Sequence, residues 1–360
     1  MRRLSLHGGF FTTPMLGAVV SLFLLGAAGT PAKAANVTLH EAGSTLMFPL
    51  FELWLPDYQA QNPGVTITAA PTGSGDGIAK AILGRVQIGA SDAYMSEEAS
   101  EQNSQILNIP LAISAQTVNY NIPGLSAPLK LDGPTLAGIY SGTVTMWDAP
   151  QIAALNPGLT LPHHAIIPVH RADASGDTFI FTQFLDFSTQ DWDDAIGYGT
   201  SVNWPVVPEA TTATGNAGMV QALTNMPYSV AYIGISFQAA IAKAGLGTAL
   251  LENQNGKFLL PTPDTISAAA AALDPRTPPD ERLTLIFAPG DNSYPLVNYE
   301  YVIVSKTQPD EATAAAIRGF LLWAIAINGG NAPKYMNGVG FIPLPDFIRG
   351  LSEAQINLVQ

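Results

Sequence analysis

Three short polar loops hold most of the residues able to do chemistry. Ala42-Gly43-Ser44-Thr45-Leu46 stands before a segment with helical spacing. Thr72-Gly73-Ser74-Gly75-Asp76-Gly77 lies between an expected strand and an expected helix. Arg171-Ala172-Asp173-Ala174-Ser175-Gly176-Asp177-Thr178 follows a run of strand-forming residues. Each joins glycine, which lets backbone approach closely, to a hydroxyl and to free N–H groups at a helix start. That combination makes an anion site. Helix capping explains any one loop taken singly, because Ser, Thr and Asp are the usual N-caps. No lysine follows the Gly/Ser run, so a nucleotide cradle of the P-loop kind is not expected. Arg171 offers a planar fork suited to anion oxygens; an ion pair with Asp173 is the plainer role, and both can hold together. Asp92, after a strand-like run, reads either as a helix cap or as a buried acceptor.

Such loops need strands and helices to hold them. Helical spacing covers Phe48–Tyr58, with Leu50, Phe51, Trp54 and Leu55 on one face, then Gly77–Leu83, Phe179–Phe184 and Glu311–Ile327. Strands are expected at Val65–Ala70, Val86–Ala90, Asn119–Ile122, Ile166–Val169, Ser229–Ile235 and Tyr299–Val304. The alternation gives an α/β class. Residues 261–282 read as a surface insertion. Ala268–Ala272 forms one or two helical turns or a low-complexity stretch, and Pro275, Pro278 and Pro279 form a loop. The five tryptophans read as packing residues.

With 360 residues, 47% hydrophobic and 12% charged, the chain has material for one large domain or two ordinary ones. That content excludes a mostly disordered chain. A formal charge of −13 gives no footprint for nucleic acid and disfavours anionic lipid. The absence of cysteine excludes disulfides, thiolate metal sites, cysteine nucleophiles and a lipid-bearing cysteine. His163-His164 are sequence neighbours and make no tetrahedral site alone, so neither metal nor cofactor is expected. A serine hydrolase is the enzymatic alternative, with Ser74 as nucleophile. Gly73 directly precedes Ser74, however, which fits the required Gly-x-Ser-x-Gly poorly.

Arg2-Arg3, an apolar run from about Met15 to Ala28, and a small-x-small ending at Ala34 follow the order of a cleavable signal peptide, residues 1–34. The run is short for a membrane span, which needs about 20 residues. The Arg pair leaves a twin-arginine route open beside the default secretory one. Removing Arg2, Arg3 and Lys33 from the 15 basic residues leaves 12 against 28 acidic, a formal charge of −16. An exported, periplasmic chain follows.

An ordered set of motifs goes further. Glu41-Ala42-Gly43-Ser44-Thr45-Leu46-Met47-Phe48-Pro49-Leu50, Gly73-Ser74-Gly75, Gly89-Ala90-Ser91-Asp92-Ala93 and Asn121-Ile122-Pro123-Gly124 come first. Ile139-Tyr140-Ser141-Gly142, Ala153-Ala154-Leu155-Asn156-Pro157-Gly158-Leu159 and His170-Arg171-Ala172-Asp173-Ala174-Ser175-Gly176 follow. Asn203-Trp204-Pro205, Gly215-Asn216, Val230-Ala231-Tyr232-Ile233-Gly234, Trp323-Ala324-Ile325 and Phe341-Ile342-Pro343-Leu344-Pro345 complete the order. Nearly all of the mature chain resembles the phosphate-binding proteins of bacterial ABC phosphate uptake systems (PstS type).

The resemblance implies a two-lobed periplasmic binding protein fold, type II-like, with a hinged ligand cleft. Residues 35–118 plus 295–360 would form lobe I and 119–294 lobe II. It implies a monomeric receptor for inorganic phosphate, not an enzyme, that docks on ABC permease subunits; a sulfate or molybdate receptor is the alternative. Phosphate would meet Thr45, Leu46 (through its backbone), Ser74, Asp92, Arg171, Ser175, Gly176 and Asp177, with Asp173 bracing Arg171. Phosphate keeps a proton at neutral pH and sulfate does not. An ionised Asp92 accepts that proton but opposes sulfate, and a buried group left unpaired costs about 1–3 kcal/mol or more. Asp177 departs from the family, which often has a hydroxyl there. Its carboxylate is expected to turn away from the ligand toward the positive helix start, with its N–H still available and Thr178 as a substitute hydroxyl.

Overall fold

The computed structural model describes residues 36–360, so the signal segment 1–34 lies outside the described residues. A nine-stranded sheet runs through them. Its order is Val65–Thr68, Val37–Gly43, Ile88–Ser91, Val297–Ser305, Ile106–Tyr120, Ser229–Gly234, Ile167–Arg171 and Thr211–Ala213, with Gly247–Thr248 also paired to Ile106–Tyr120. The first three strands are parallel to one another, and so are the last three of the order. Antiparallel pairs join the two groups through the middle.

Ile106–Tyr120 belongs to both halves of the sheet. Its residues up to Ala115 pair with Val297–Ser305, and from Gln116 onward it pairs with Ser229–Gly234. Where the partner changes, the Gln116 N–H donates to the Leu296 carbonyl at 3.0 Å. All fifteen residues are buried. Only the end of this strand, at Asn119–Ile122, was legible, and it stops at Tyr120 rather than Ile122. A strand buried on both faces lacks the alternation that marks a half-exposed one. Pro110 obscures it further. It pairs with Tyr301 where the ladder shifts register between Glu300 and Tyr301, an irregularity that tolerates a missing N–H.

The helices start closer to the loops than their apolar spacing suggests. Ser74–Ile82 begins three residues before the expected Gly77, and Gly176–Ser188 begins three before Phe179. Polar loop residues therefore make the first helical turns, where N–H groups lack intrahelical partners. The alanine run lies in a full helix, Pro263–Leu273, started by a capping box between Thr262 and Thr265.

Each half has its own aromatic packing. In the first, Phe48–Gln61 meets Glu311–Ile325 through Trp54 and Tyr58 against Phe320, with ring centroids 6.2 and 5.0 Å apart. Trp54 is fully buried and its indole N–H donates to the Gly330 carbonyl at 2.8 Å. Trp54→Ala is expected to cost about 3–5 kcal/mol, read as a lower urea midpoint at unchanged slope. In the second half Phe181 stacks on Tyr232 at 4.5 Å and meets Tyr140 edge-on at 4.9 Å. Ser44 follows Val37–Gly43, Asp92 follows Ile88–Ser91, and Arg171 ends Ile167–Arg171. Carboxyl ends of parallel strands are where open α/β sheets bind ligands.

Candidate functional site

On the first half, Asp92 collects the hydroxyls. It is almost fully buried. Ser44 Oγ donates to its Oδ1, and Ser74 Oγ donates to its Oδ2 at 3.1 Å. The Leu46 and Met47 N–H groups donate to Ser44 Oγ at 3.1 and 2.9 Å. Burial, and then the charge of Asp177, push Asp92 up to about 7; hydrogen bonds from Glu300 and Ser44 and the charge of Arg171 act against them. Asp92 does not cap the next helix, Glu97–Gln102, whose cap is Ser96.

On the second half, Arg171 is buried between two carboxylates. Its Nε donates to Asp173 Oδ1 at 2.8 Å, and Nη2 donates to Asp173 Oδ2. Nη1 donates to Asp177 Oδ2 at 2.7 Å. Burial works against the Arg171 charge, but the Asp173 hydrogen bonds and the Asp177 and Asp173 charges outweigh it and raise its pKa. Asp173 is itself fixed by the Gly215 N–H at 3.0 Å. Burial opposes its ionisation, and the Arg171 hydrogen bond and charge overcome this and hold it below the usual range.

The halves meet at these loops. A Cβ on Gly176 would lie 2.5 Å from Asp92 Oδ2 and 2.6 Å from Ser74 Oγ, so only glycine permits the approach. Gly73 has φ +99°, and a Cβ there would lie 2.8 Å from an Asp173 carboxylate oxygen. The Gly75 N–H donates to the Ala174 carbonyl at 3.0 Å, and Ser236 Oγ donates to the Leu46 carbonyl at 2.8 Å.

Several residues singled out in the sequence are thus brought together, with partners other than those expected. Thr45 Oγ1 accepts from the Asn216 N–H and amide at 3.2 and 2.9 Å. Ser175 caps its helix, accepting from the Thr178 N–H at 3.4 Å. Asp177 does not turn away. Beyond Arg171, its Oδ2 accepts from the Asn216 amide at 2.7 Å and its Oδ1 from the Gln116 amide at 3.1 Å. A full guanidinium charge and two amides outcompete the partial charge of a helix start, which Ser175 already caps. Thr178 Oγ1 is bonded to the Tyr232 hydroxyl at 2.8 Å.

Four participants went unassigned in the sequence: Ser44, Gln116, Asn216 and Glu300. Ser44 and Asn216 stand inside quoted motifs but carry no signal beyond polarity. Gln116 lies in the stretch of strand that was not recognised. Glu300 had a visible signal, as a lone acid in the apolar run Tyr299–Val304.

Comparison with known proteins places the fold and the family. The family model of the PBP superfamily domain matches residues 29–326. The phosphate-binding protein PstS of Methanocaldococcus jannaschii is 33% identical over 91% of this chain and 88% of its own. That of Pasteurella multocida is 31% identical over 88% of this chain and 89% of its own. Among solved structures, a phosphate binding protein from Stenotrophomonas maltophilia superimposes with a TM-score of 0.68 at 20% identity, covering 88% of this chain and 93% of that one. The fold is thus the two-lobed one of periplasmic binding proteins, and the chain belongs to the PBP superfamily and, within it, to the PstS family of phosphate-binding proteins.

Proposed function

We propose that the chain is an exported receptor that binds inorganic phosphate between its lobes and delivers it to an ABC permease. The names of its relatives support the ligand. The observation that carries the reading is that Arg171, braced by Asp173, and Asp92 are both buried at the loops where the two halves meet. One fixed cationic fork and one acceptor carboxylate suit a tetrahedral anion that still bears a proton.

In this reading the ligand is held by Thr45, the Leu46 N–H, Ser74, Asp92, Arg171, Ser175, Gly176 and the Asp177 loop. Ligand contacts on both halves favour the closed form and shift the population toward it. Lobe I comprises 35–118 and 295–360, and lobe II comprises 119–294. The change of strand partner at Ala115/Gln116, beside Leu296, supports hinges close to these bounds. The receptor works as a periplasmic monomer. Among the described residues, no helix is long and apolar enough to cross a membrane. A hydrolase finds no support, because Ser74 Oγ bonds Asp92 rather than a histidine.

Calorimetric titration of the mature chain at neutral pH and fixed salt tests the proposal. One-to-one heat with phosphate and none with sulfate is expected. Equal heat with sulfate transfers the site to another oxyanion, and no heat with either ends the receptor reading.

A further inference from the structure

Glu300 is a buried acid beside the site, and the contacts described so far give it no task. It sits on Val297–Ser305 and has no exposed surface. Its Oε1 accepts from Ser114 Oγ and from the Asn298 amide, the latter at 3.0 Å. The same amide donates to the Asp92 carbonyl at 3.3 Å. Oε2 is different: it is buried and receives no hydrogen bond from any donor among the described residues. One amide nitrogen thus bridges the Glu300 carboxyl and the Asp92 main chain, and the two buried carboxyls are close enough to act on each other's charge.

Two neighbouring carboxyls in a dry interior do not both ionise readily, and a shared proton resolves the conflict. Burial, followed by the charge of Asp92 and the hydrogen bond to it, holds Glu300 protonated well above the ordinary carboxyl range. A proton on Oε2 also gives that oxygen the partner it lacks. The other charged groups acting on Asp92 are Arg171 and Asp177, from the second half. Ser44, Ser74, Ser114 and Asn298 are neutral.

We propose that Glu300 is a positioning residue for anion selectivity: its carboxyl hydrogen is donated to Asp92 and favours the carboxylate form of Asp92, an acceptor for the ligand's P–OH. Without that donor Asp92 takes up a proton more readily. It then presents a donor where an acceptor is needed, and an oxyanion without a proton fits as well as one with it. The inference rests on the phosphate reading.

Two variants of the full mature chain separate the possibilities. In Glu300→Gln the amide replaces the acid O–H as donor. In Glu300→Leu the donor is gone. Phosphate and sulfate titrations from mildly acidic to mildly alkaline pH are the readout. Glu300→Gln is expected to keep phosphate affinity and to refuse sulfate. Glu300→Leu is expected to lose about tenfold in phosphate affinity near neutral pH, the size of a lost hydrogen bond to a charged group. It should recover toward alkaline pH, as Asp92 ionises again, and bind sulfate on the acid side. An unaltered pH profile in Glu300→Leu, or a loss in Glu300→Gln equal to that in Glu300→Leu, overturns the proposal.

Infrared difference spectra of the protein without ligand test the proton itself. A protonated-carboxyl band at neutral pH should be present in the wild type and missing in Glu300→Gln. If no band is lost, the proposal fails whether or not phosphate binds and even if Glu300→Leu does not fold. Should phosphate binding fail in the wild type while the band is lost, the phosphate reading fails instead, and the selectivity role falls with it.

Discussion

Arg171→Met is expected to abolish phosphate binding and to weaken the fold, whereas Arg171→Lys is expected to keep the fold and to lose most of the affinity. The reason is the crowding of acids around one cation. Asp173 and Asp177 both bond Arg171, and Asp92 lies close enough to feel its charge. Removing the guanidinium leaves buried carboxylates without their partner, a loss of about 3–5 kcal/mol in comparable cases. Truncating a buried charge at an interface costs about 2–5 kcal/mol of binding, and each 1.4 kcal/mol is about tenfold in affinity. Lysine restores the charge but not the fork, and so cannot engage both Asp173 oxygens and still face an anion. Calorimetry and urea melts on the two variants check the ordering. A lysine variant with wild-type affinity would mean that charge alone suffices.

Asp177→Thr is expected to tighten phosphate binding by about tenfold, with the gain growing toward alkaline pH. Asp177 takes the Arg171 Nη1 hydrogen at 2.7 Å, a hydrogen that an anion oxygen would otherwise accept. Its charge also opposes the ligand's. Two like charges 4 Å apart repel by about 4 kcal/mol under the screening typical near a surface, so a net gain of about 1.4 kcal/mol allows for the Gln116 and Asn216 amides that lose their acceptor. Phosphate becomes more negative as pH rises, so the repulsion that is removed grows in that direction. Titrations of both proteins at fixed salt over the same pH range decide the matter. Unchanged or weaker binding in the variant would make the Asp177 carboxylate an asset to the ligand.

Much of this was legible in the residues, for physical reasons that differ by element. Glu311–Ile325 and Ser229–Gly234 are long or continuously apolar and were read to within two residues of their ends. The loops were legible because glycine and hydroxyls before a helix have few other uses. The beginning of Ile106–Tyr120 was not, since burial on both faces removes the periodic signal and Pro110 imitates a break. The orientation of Asp177 was misread for a different reason. Local sequence offers it a helix start, while its true partners, Gln116 and Asn216, lie 61 and 39 residues away. Partners so distant leave no trace in spacing. Glu300 illustrates the opposite case, where an acid in an apolar strand announces that something unusual is nearby without saying what.

Gln116 has one further consequence. Its main chain sits where the long strand changes partners, and its side chain grips both the carbonyl and the carboxylate of Asp177, at 2.9 and 3.1 Å. The strand crossing and the Asp177 loop therefore share a residue, like an axle geared directly to a dial. Any displacement of the Asp177 carboxylate pulls on the strand crossing without passing through intervening packing. The crossing is itself bonded to its neighbour through the Leu296 carbonyl, so both passages of the chain bend as one torsion bar rather than as two loose strings. The strand crossing and the Asp177 loop are therefore joined by direct bonds rather than through a chain of packed side chains.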